Sequence, residues 1–463
     1  MSNFYIREIK FTSLLKLFDR KIFAVPELQR EFVWNAKKAC SLLDSIYKNY
    51  PIGTAMVWET SSRYGFQLRH RLHVLPQFAA ETNKQIYFII DGQQRLSVLY
   101  HITTGITVTN SFGKQINFHN IYFNTDNSEG MHFHYFPRRP PSEDYYSIPD
   151  ILSSRYKHRF RSLGVRKRNA IQECREKILG YHFPIIFVKG DQIADIRETF
   201  IRINSQGTPI SAADRAFARA ENINLRHHLY EVRHGFENGF SEIDYDTLFM
   251  ALLLIYGETQ LGERARNRIV KKLEEGDDDI KDFSSEWRRI RLSFNKTITY
   301  LINDLHIINM QYLPSKNIIS LLTLFFYHNK NKRPDSNQKR QIHKWFWYSS
   351  LSQRYSGRGY SRNILSDAVF FRRLGASRRG RFPIEEPLAP YDILNTKYGK
   401  RTIIETTFYN LLLRYFPRYI EDGEPIPQSV YSDFSNRKNK HHIFPSGLLS
   451  GKVQSSRINS ICQ

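Results

Sequence analysis

Residues 85–105 read QIYFIIDGQQRLSVLYHITTG, and the fold of the N-terminal half turns on how this stretch divides. Ile86, Tyr87, Phe88, Ile89 and Ile90 form an unbroken β-branched and aromatic run, the composition of a short strand buried on both faces. After Asp91-Gly92 the period changes. Leu96, Leu99 and Tyr100 recur at helical spacing with Val98 beside them, and Gly105 stands where a helix stops. Asp91 takes the place of an N-cap, and Gln94 that of its capping-box partner three residues on. Arg95 is left over. A cation in the first helical turn faces free N–H groups and the positive end of the macrodipole, which disfavours it by about 0.3–1 kcal/mol when exposed. A bound anion reverses that sign, and strand, tight glycine turn and helix N-terminus together make a common phosphate cradle. The stretch therefore reads either as a plain strand-turn-helix unit or as a phosphate site with Arg95 on the anion. An Arg95 buried against a protein carboxylate speaks against the second.

The chain has 463 residues and a net charge of +23, from 68 Lys and Arg against 45 Asp and Glu. Its length suggests two to four domains, and 41% hydrophobic residues suffice for ordinary cores. The excess of positive charge points to a polyanionic partner, nucleic acid before membrane, since no Lys-rich amphipathic anchor stands out. Cys40, Cys174 and Cys462 are far apart and form neither a metal-ligand nor a disulfide pattern, so a reducing cytoplasm is the expected setting. The opening MSNFYIREIKF does not resemble a signal peptide. FMALLLIY and IISLLTLFFY are too short to span a bilayer and are expected as buried helices, with no membrane partner.

Along the chain, residues 1–220 mix strands and helices. KIFAVP is strand-like, NAKKACSLLDSIYKNY helical, Pro51-Ile52-Gly53 a turn, TAMVWE a strand and HFPIIFVKG another buried strand. Residues 221–430 are mostly helical, with Leu248, Phe249, Leu252, Leu253, Ile255 and Tyr256 on one stripe. Residues 431–463 turn short, basic and Ser-rich. The fold class expected is α+β, with an α/β N-terminal domain and a helical middle domain. Two basic runs interrupt this pattern. Residues 155–168 hold seven Lys or Arg and no acid, among them Arg155, Lys157, Arg159, Arg166, Lys167 and Arg168; residues 372–381 hold Arg372, Arg373, Arg378 and Arg379 among their five Arg. Each is a solvated face or a set of contacts to the DNA backbone, where phosphate neutralisation supplies most sequence-independent affinity.

Four further motifs carry candidate chemistry. In VPELQREFVW (25–34), Trp34 reads as a core residue, while Gln29 and Arg30 follow a strand end, where Arg30 can meet the same anion as Arg95. FIRINSQGTPISAADR (200–215) reads as a strand, a Gly207 turn and a helix opened by Ser211 and Asp214. That places Arg202, Asn204 and Gln206 at a strand end, where ligands of α/β sheets usually sit. SLSQRYSGRGYSRN (350–363) offers Arg354 and Arg358 on a surface loop or to phosphates. KNKHHIFPSGLL (438–449) carries the paired His441 and His442.

VPELQREFVW, SIYKNYPIG, FIIDGQQRL and FIRINSQGTPIS, in this order, resemble the N-terminal domain of GmrSD-type restriction proteins, a divergent ParB/sulfiredoxin-like fold. HHIFP resembles the opening of the HNH nuclease module that follows it in that family. The resemblance implies a nucleoside triphosphatase, Mg²⁺- or Mn²⁺-dependent, coupled to nicking or cutting modified bacteriophage DNA. It ties the DGQQR motif, here Asp91, Gly92, Gln93, Gln94 and Arg95, to nucleotide hydrolysis, with Arg95 on phosphate oxygens and Asp91 near a metal or a water. In the HNH motif it makes His442 the general base and His441 the first metal ligand.

An HNH module is two strands and a helix, and its second metal ligand lies on the helix. After HHIFP this sequence offers Asn459 and ends at Gln463, which leaves the ββα module incomplete. Either the chain is a fragment, or its nuclease half is incomplete by nature, or a partner, another polypeptide or a homo-oligomer, supplies the remainder. The corresponding expectation is nucleotide binding with weak or no DNA cleavage by these residues alone. Two function classes follow: an NTPase coupled to DNA cleavage, and a ParB-like nucleotide and DNA-binding module without its own nuclease activity.

Overall fold

The computed structural model describes residues 3–26, 32–61, 75, 85–109, 115–126, 130–190, 193–206, 211–220, 223–236, 239–275, 282–377, 379–384, 403–416, 418–419 and 422–427. It is a mixed α+β chain that divides into two compact units, Met1–Arg219 and Ala220–Gln463.

The first unit is built on a five-stranded sheet. Its strands are β1 (Asn3–Lys10), β2 (Phe23–Ala24), β3 (Ala55–Ser61), β4 (Gln85–Asp91) and, far along the chain, His182–Lys189. Between the last two lie the short strands β5 (Thr107–Thr109), β6 (Gln115–Asn117), β7 (Ile121–Asn124), β8 (Phe133–Tyr135) and β9 (Tyr145–Ser147), so the fifth strand of the large sheet is β10. The spatial order is β1-β10-β3-β4-β2. β1 runs antiparallel to β10, β10 parallel to β3, β3 antiparallel to β4, and β4 parallel to β2.

The apolar run of β4 serves two cores because side chains alternate across a sheet. Ile89 faces one core with Phe11, Leu14, Leu43, Val57, Leu99 and Phe183. Ile86, Phe88 and Ile90 face the other with Trp58, Ile196 and Phe200. The first core is covered by the Phe11–Asp19, Ala36–Tyr47, Gln93–Thr104 and Val165–Gly180 helices. Asn35 starts the second of these, its side chain accepting from the Lys38 amide at 3.0 Å.

One expectation is overturned here. Residues 193–206 are a helix, not a strand at 200–206. Phe200 and Ile201, with Ile196 one turn earlier, recur at helical spacing and close the second core. The β-branched residues suggested extension, but packing of this face against β4 decides the conformation. Ser211 does open the following Ala212–Arg219 helix, accepting from the Asp214 amide at 3.0 Å.

Among its described residues the second unit is helical, including Leu225–His234, Tyr245–Ile255, Glu263–Glu275, Phe283–Asn303, Asn317–His328, Ser336–Leu351, Tyr360–Ser377 and Ile403–Arg414. Asn317–His328 is the central one, packed against Tyr245–Ile255, Phe283–Asn303 and Tyr360–Ser377. Tyr245–Ile255 is buried from Leu248 to Ile255 apart from Met250, not along one stripe. No described helix is long and apolar enough to cross a membrane.

Candidate functional site

β4 ends at Asp91 and a helix begins at Gln93, with Gly92 as the elbow between them. Gly92 sits at φ +88°, and a Cβ on it would stand 2.9 Å from the Ala55 Cβ on β3. Both the left-handed backbone and the close strand crossing therefore require glycine. The N-cap is thus Gly92 and not Asp91, because the strand ladder to Met56 carries Asp91 within β4. Helix geometry leaves the amides of Gln93, Gln94 and Arg95 without intrahelical acceptors.

Gln94 is not a capping-box partner. Its Oε1 reaches out of the helix and accepts from the Val33 and Trp34 amides, at 2.9 and 3.2 Å. This joins the end of the 25–34 motif to the elbow, while Trp34 packs against the first core as expected.

Arg95 has partners within the protein. Its Nη1 donates to the Ile52 carbonyl at 2.6 Å, and its Nη2 to the Thr54 carbonyl at 2.8 Å and to Asp91 Oδ2 at 3.3 Å. The Pro51–Thr54 turn thus supplies the negative charge density that a cation in a helical first turn lacks, so Arg95 needs no anion to explain it. Gly53, at φ +78°, makes room for the guanidinium. Asp91 keeps a partly open carboxylate, 38% exposed, at the strand end.

Gln93 is the unexplained residue. It is 3% exposed, and neither Nε2 nor Oε1 has a hydrogen-bond partner among the described residues. Ser97 Oγ, one turn on and fully buried, also lacks one there. A buried polar group left unpaired costs about 1–3 kcal/mol. Sequence reasoning singled out Gln93 but missed Ser97, His101 and the two carbonyls. Polar side chains at fourth-residue spacing from Gln93, on a helix that also buries Leu96, Val98 and Ile102, are the signal for the first two.

Of the other candidates, Arg202 lies in the 193–206 helix, exposed and paired with Glu198 at 2.8 Å. Asn204 and Gln206 occupy its last turn, on a helix end and not at a strand end. Gln29, Arg30, Arg378, His441 and His442 lie outside the described residues.

The basic run at 155–168 spans a short Tyr156–Arg159 helix and the start of Val165–Gly180. Three of its cations are paired internally: Arg159 with Asp150 at 3.0 Å, Arg166 with Asp126 at 3.2 Å and Lys167 with Asp144 at 2.8 Å. Arg155, Lys157 and Arg168 are exposed. Arg354 is a correction, since its side chain is 8% exposed and its guanidinium grips Asp367 through Nε and Nη2 at 3.0 to 3.2 Å. Arg372 is turned inward too, donating to the Leu254 carbonyl at 2.9 Å, whereas Arg358, Arg373 and Arg379 are exposed.

With this geometry in place, comparison with known proteins adds one association. Residues 14–220 match the family model of the GmrSD restriction endonuclease N-terminal domain. The matched segment spans the large sheet from β2 onward, the elbow and the 193–206 helix, and the family is one of restriction endonucleases. The uncharacterized protein MJ0686 of Methanocaldococcus jannaschii is 22% identical, over 95% of this chain and 80% of that protein.

Proposed function

We propose that this chain is a restriction-type anti-phage protein whose N-terminal unit hydrolyses a nucleoside triphosphate at the Asp91–Arg95 elbow, coupled to nicking or cleavage of modified DNA. The observation that carries it is Gln93, a buried side chain at a helix N-terminus whose two polar atoms have no hydrogen-bond partner among the described residues. A nucleobase edge with one donor and one acceptor would satisfy both atoms at once, and a phosphate would accept from Nε2. The family match supplies the restriction context and DNA as the partner class.

The residues take distinct roles. The amides of Gln93 and Arg95 would hold phosphate oxygens, and Gln93 would orient the nucleotide or the attacking water. Arg95 acts first as a positioning residue that fixes the Pro51–Thr54 turn beneath the elbow. Among the described residues no three His, Cys, Asp or Glu converge as metal ligands. Asp91 nevertheless fits Mg²⁺, which commonly takes one or two carboxylates, substrate phosphate and waters. Bound there, the ion would screen the phosphate charge.

Arg95's internal partners favour a second reading, a nucleotide-binding module without turnover, because a guanidinium held by two carbonyls must be released before it can follow charge onto a leaving phosphate. Phosphate release by the purified protein, with and without DNA, separates the two. Turnover that falls at least tenfold in Gln93→Ala and Asp91→Asn supports the enzyme. Nucleotide binding without turnover supports the module, and neither binding nor turnover sinks both. On the nuclease side, plasmid nicking with Mg²⁺ or Mn²⁺ that His442→Ala removes is the expected signature.

A further inference from the structure

The large sheet has two unequal edges. At one end β2 is two residues long, too short to template another strand. At the other end β1 is eight residues long, has no proline, and pairs with β10 without a bulge from Asn3 to Lys10. Its outer edge is a continuous row of main-chain donors and acceptors. Two of its side chains are also out of place for a solvent edge: Phe4 is 69% and Ile6 59% exposed. They stand beside Val188 and Ile186 of β10 on the same face, so the apolar surface of the second core runs on to the sheet edge and, among the described residues, stops there uncovered.

We propose that β1 pairs antiparallel with β1 of a second copy of this chain, joining two five-stranded sheets into one across a twofold axis normal to the sheet. Such an axis keeps each face continuous, so opposed residues have the same parity, and charge then selects the register. Pairing centred on Arg7 opposes Arg7 with Arg7, and pairing centred on Glu8 opposes Glu8 with Glu8; like charges directly opposite are destabilising. Pairing centred on Tyr5 is charge-compatible but engages only residues 3–7. Pairing centred on Ile6 engages residues 3–9. It sets Ile6 against Ile6, Phe4 against Glu8, Tyr5 against Arg7 and Asn3 against Ile9. The apolar residues of both copies then form one strip, Ile186 and Val188 flanking Phe4 and Ile6 on each side. On the opposite face Arg7, which already lies 4.9 Å over the Tyr5 ring of its own strand, gains a second Tyr5. The geometry is isologous and closes at two copies. A strand seam buries less than the ~1,200–2,000 Å² of a standard interface, so the dimer is expected to be concentration-dependent.

Sedimentation equilibrium of the full chain over a concentration series tests this, with Ile6→Lys as the variant. Ile6 is exposed, so Ile6→Lys should keep the wild-type melting temperature while weakening dimerisation at least tenfold. A wild-type chain that stays monomeric to its solubility limit overturns the proposal, as does a dimer that Ile6→Lys leaves unchanged. The register has its own readout in a Cys462→Ser background, where Cys40 and Cys174 are buried. Ile6→Cys should be joined by a short bifunctional thiol crosslinker several-fold faster than Glu8→Cys. Equal or reversed rates overturn the Ile6-centred pairing.

Discussion

Gly53 and Arg95 approach so closely that a methyl group on the Gly53 α-carbon would overlap Arg95 Nη1. Because Gly53 also sits at φ +78°, Gly53→Ala both strains the turn and dislodges the guanidinium from the Ile52 and Thr54 carbonyls. The expected cost is about 2–4 kcal/mol, from backbone strain and broken charge-assisted hydrogen bonds. Gly130 is the control: it has φ +97° and open space where a Cβ would lie. Urea unfolding should show Gly53→Ala destabilised clearly more than Gly130→Ala. Equal destabilisation would mean that the Arg95 interaction adds nothing to stability.

Gln94 holds the Val33 and Trp34 amides through one oxygen. Gln94→Leu removes the acceptor and should cost about 1–3 kcal/mol, whereas Gln94→Glu keeps it and should cost less. Amide hydrogen exchange reads this directly, with Val33 and Trp34 exchanging faster in Gln94→Leu and near wild type in Gln94→Glu. Unaltered exchange in both would show that other interactions hold the 33–34 segment.

Arg354 and the exposed arginines of the same unit should separate cleanly. The Arg354 and Asp367 side chains are 8% and 2% exposed, so Arg354→Ala strands a buried carboxylate that also accepts from Tyr355 and Trp345, and should destabilise by about 3–5 kcal/mol. Arg373→Ala with Arg379→Ala should leave the melting temperature unchanged. If these arginines touch DNA, the log–log salt dependence of binding should flatten by about 0.9 for each phosphate that is no longer neutralised. An unchanged slope would leave them as a solvated face.

His328, the last residue of the Asn317–His328 helix, titrates low. Burial, then the nearby Arg372 and Arg289 guanidinium groups, depress its pKa from 6.5 to about 4. The folded value lies below the unfolded one, so the unfolded chain binds the extra proton between these two pH values. His328's contribution is therefore fully present above about pH 6.5 and is lost as pH falls to about 4. Partial exposure reduces it to the order of 2 kcal/mol. Unfolding free energies measured from pH 7 to pH 4 should fall more steeply in the wild type than in His328→Gln, and parallel curves would refute this.

How far the sequence could be read is clearest at the elbow. Strand, glycine turn and helix were legible from Ile86 to Gly105, because a run of β-branched residues and then a change of period leave few conformations open. The polar residues of that turn were not. Asp91, Gln94 and Arg95 carried the pattern of a cap and an anion clamp, yet two of the three point at chain segments 60 or 43 residues away. At 200–206 a β-branched pattern pointed to a strand, and the need to cover β4 made a helix. Among the basic residues, charge density was visible but pairing was not: nothing in the sequence marks Arg354 as buried and Arg358 as exposed.

Sequence alone determined the local order of this protein: which segments are apolar enough to be β4, β10 and the buried helices, where glycine must stand, and that the whole carries a large positive charge. These properties are set by residue type and by neighbours within a turn or two. Tertiary structure decided the partners: the Ile52 and Thr54 carbonyls for Arg95, the Val33 and Trp34 amides for Gln94, Asp367 for Arg354, and, among the described residues, none for the Gln93 side chain. A hydrogen bond or ion pair depends on atoms brought within about 3 Å, and only the folded chain sets distances between residues so far apart in sequence.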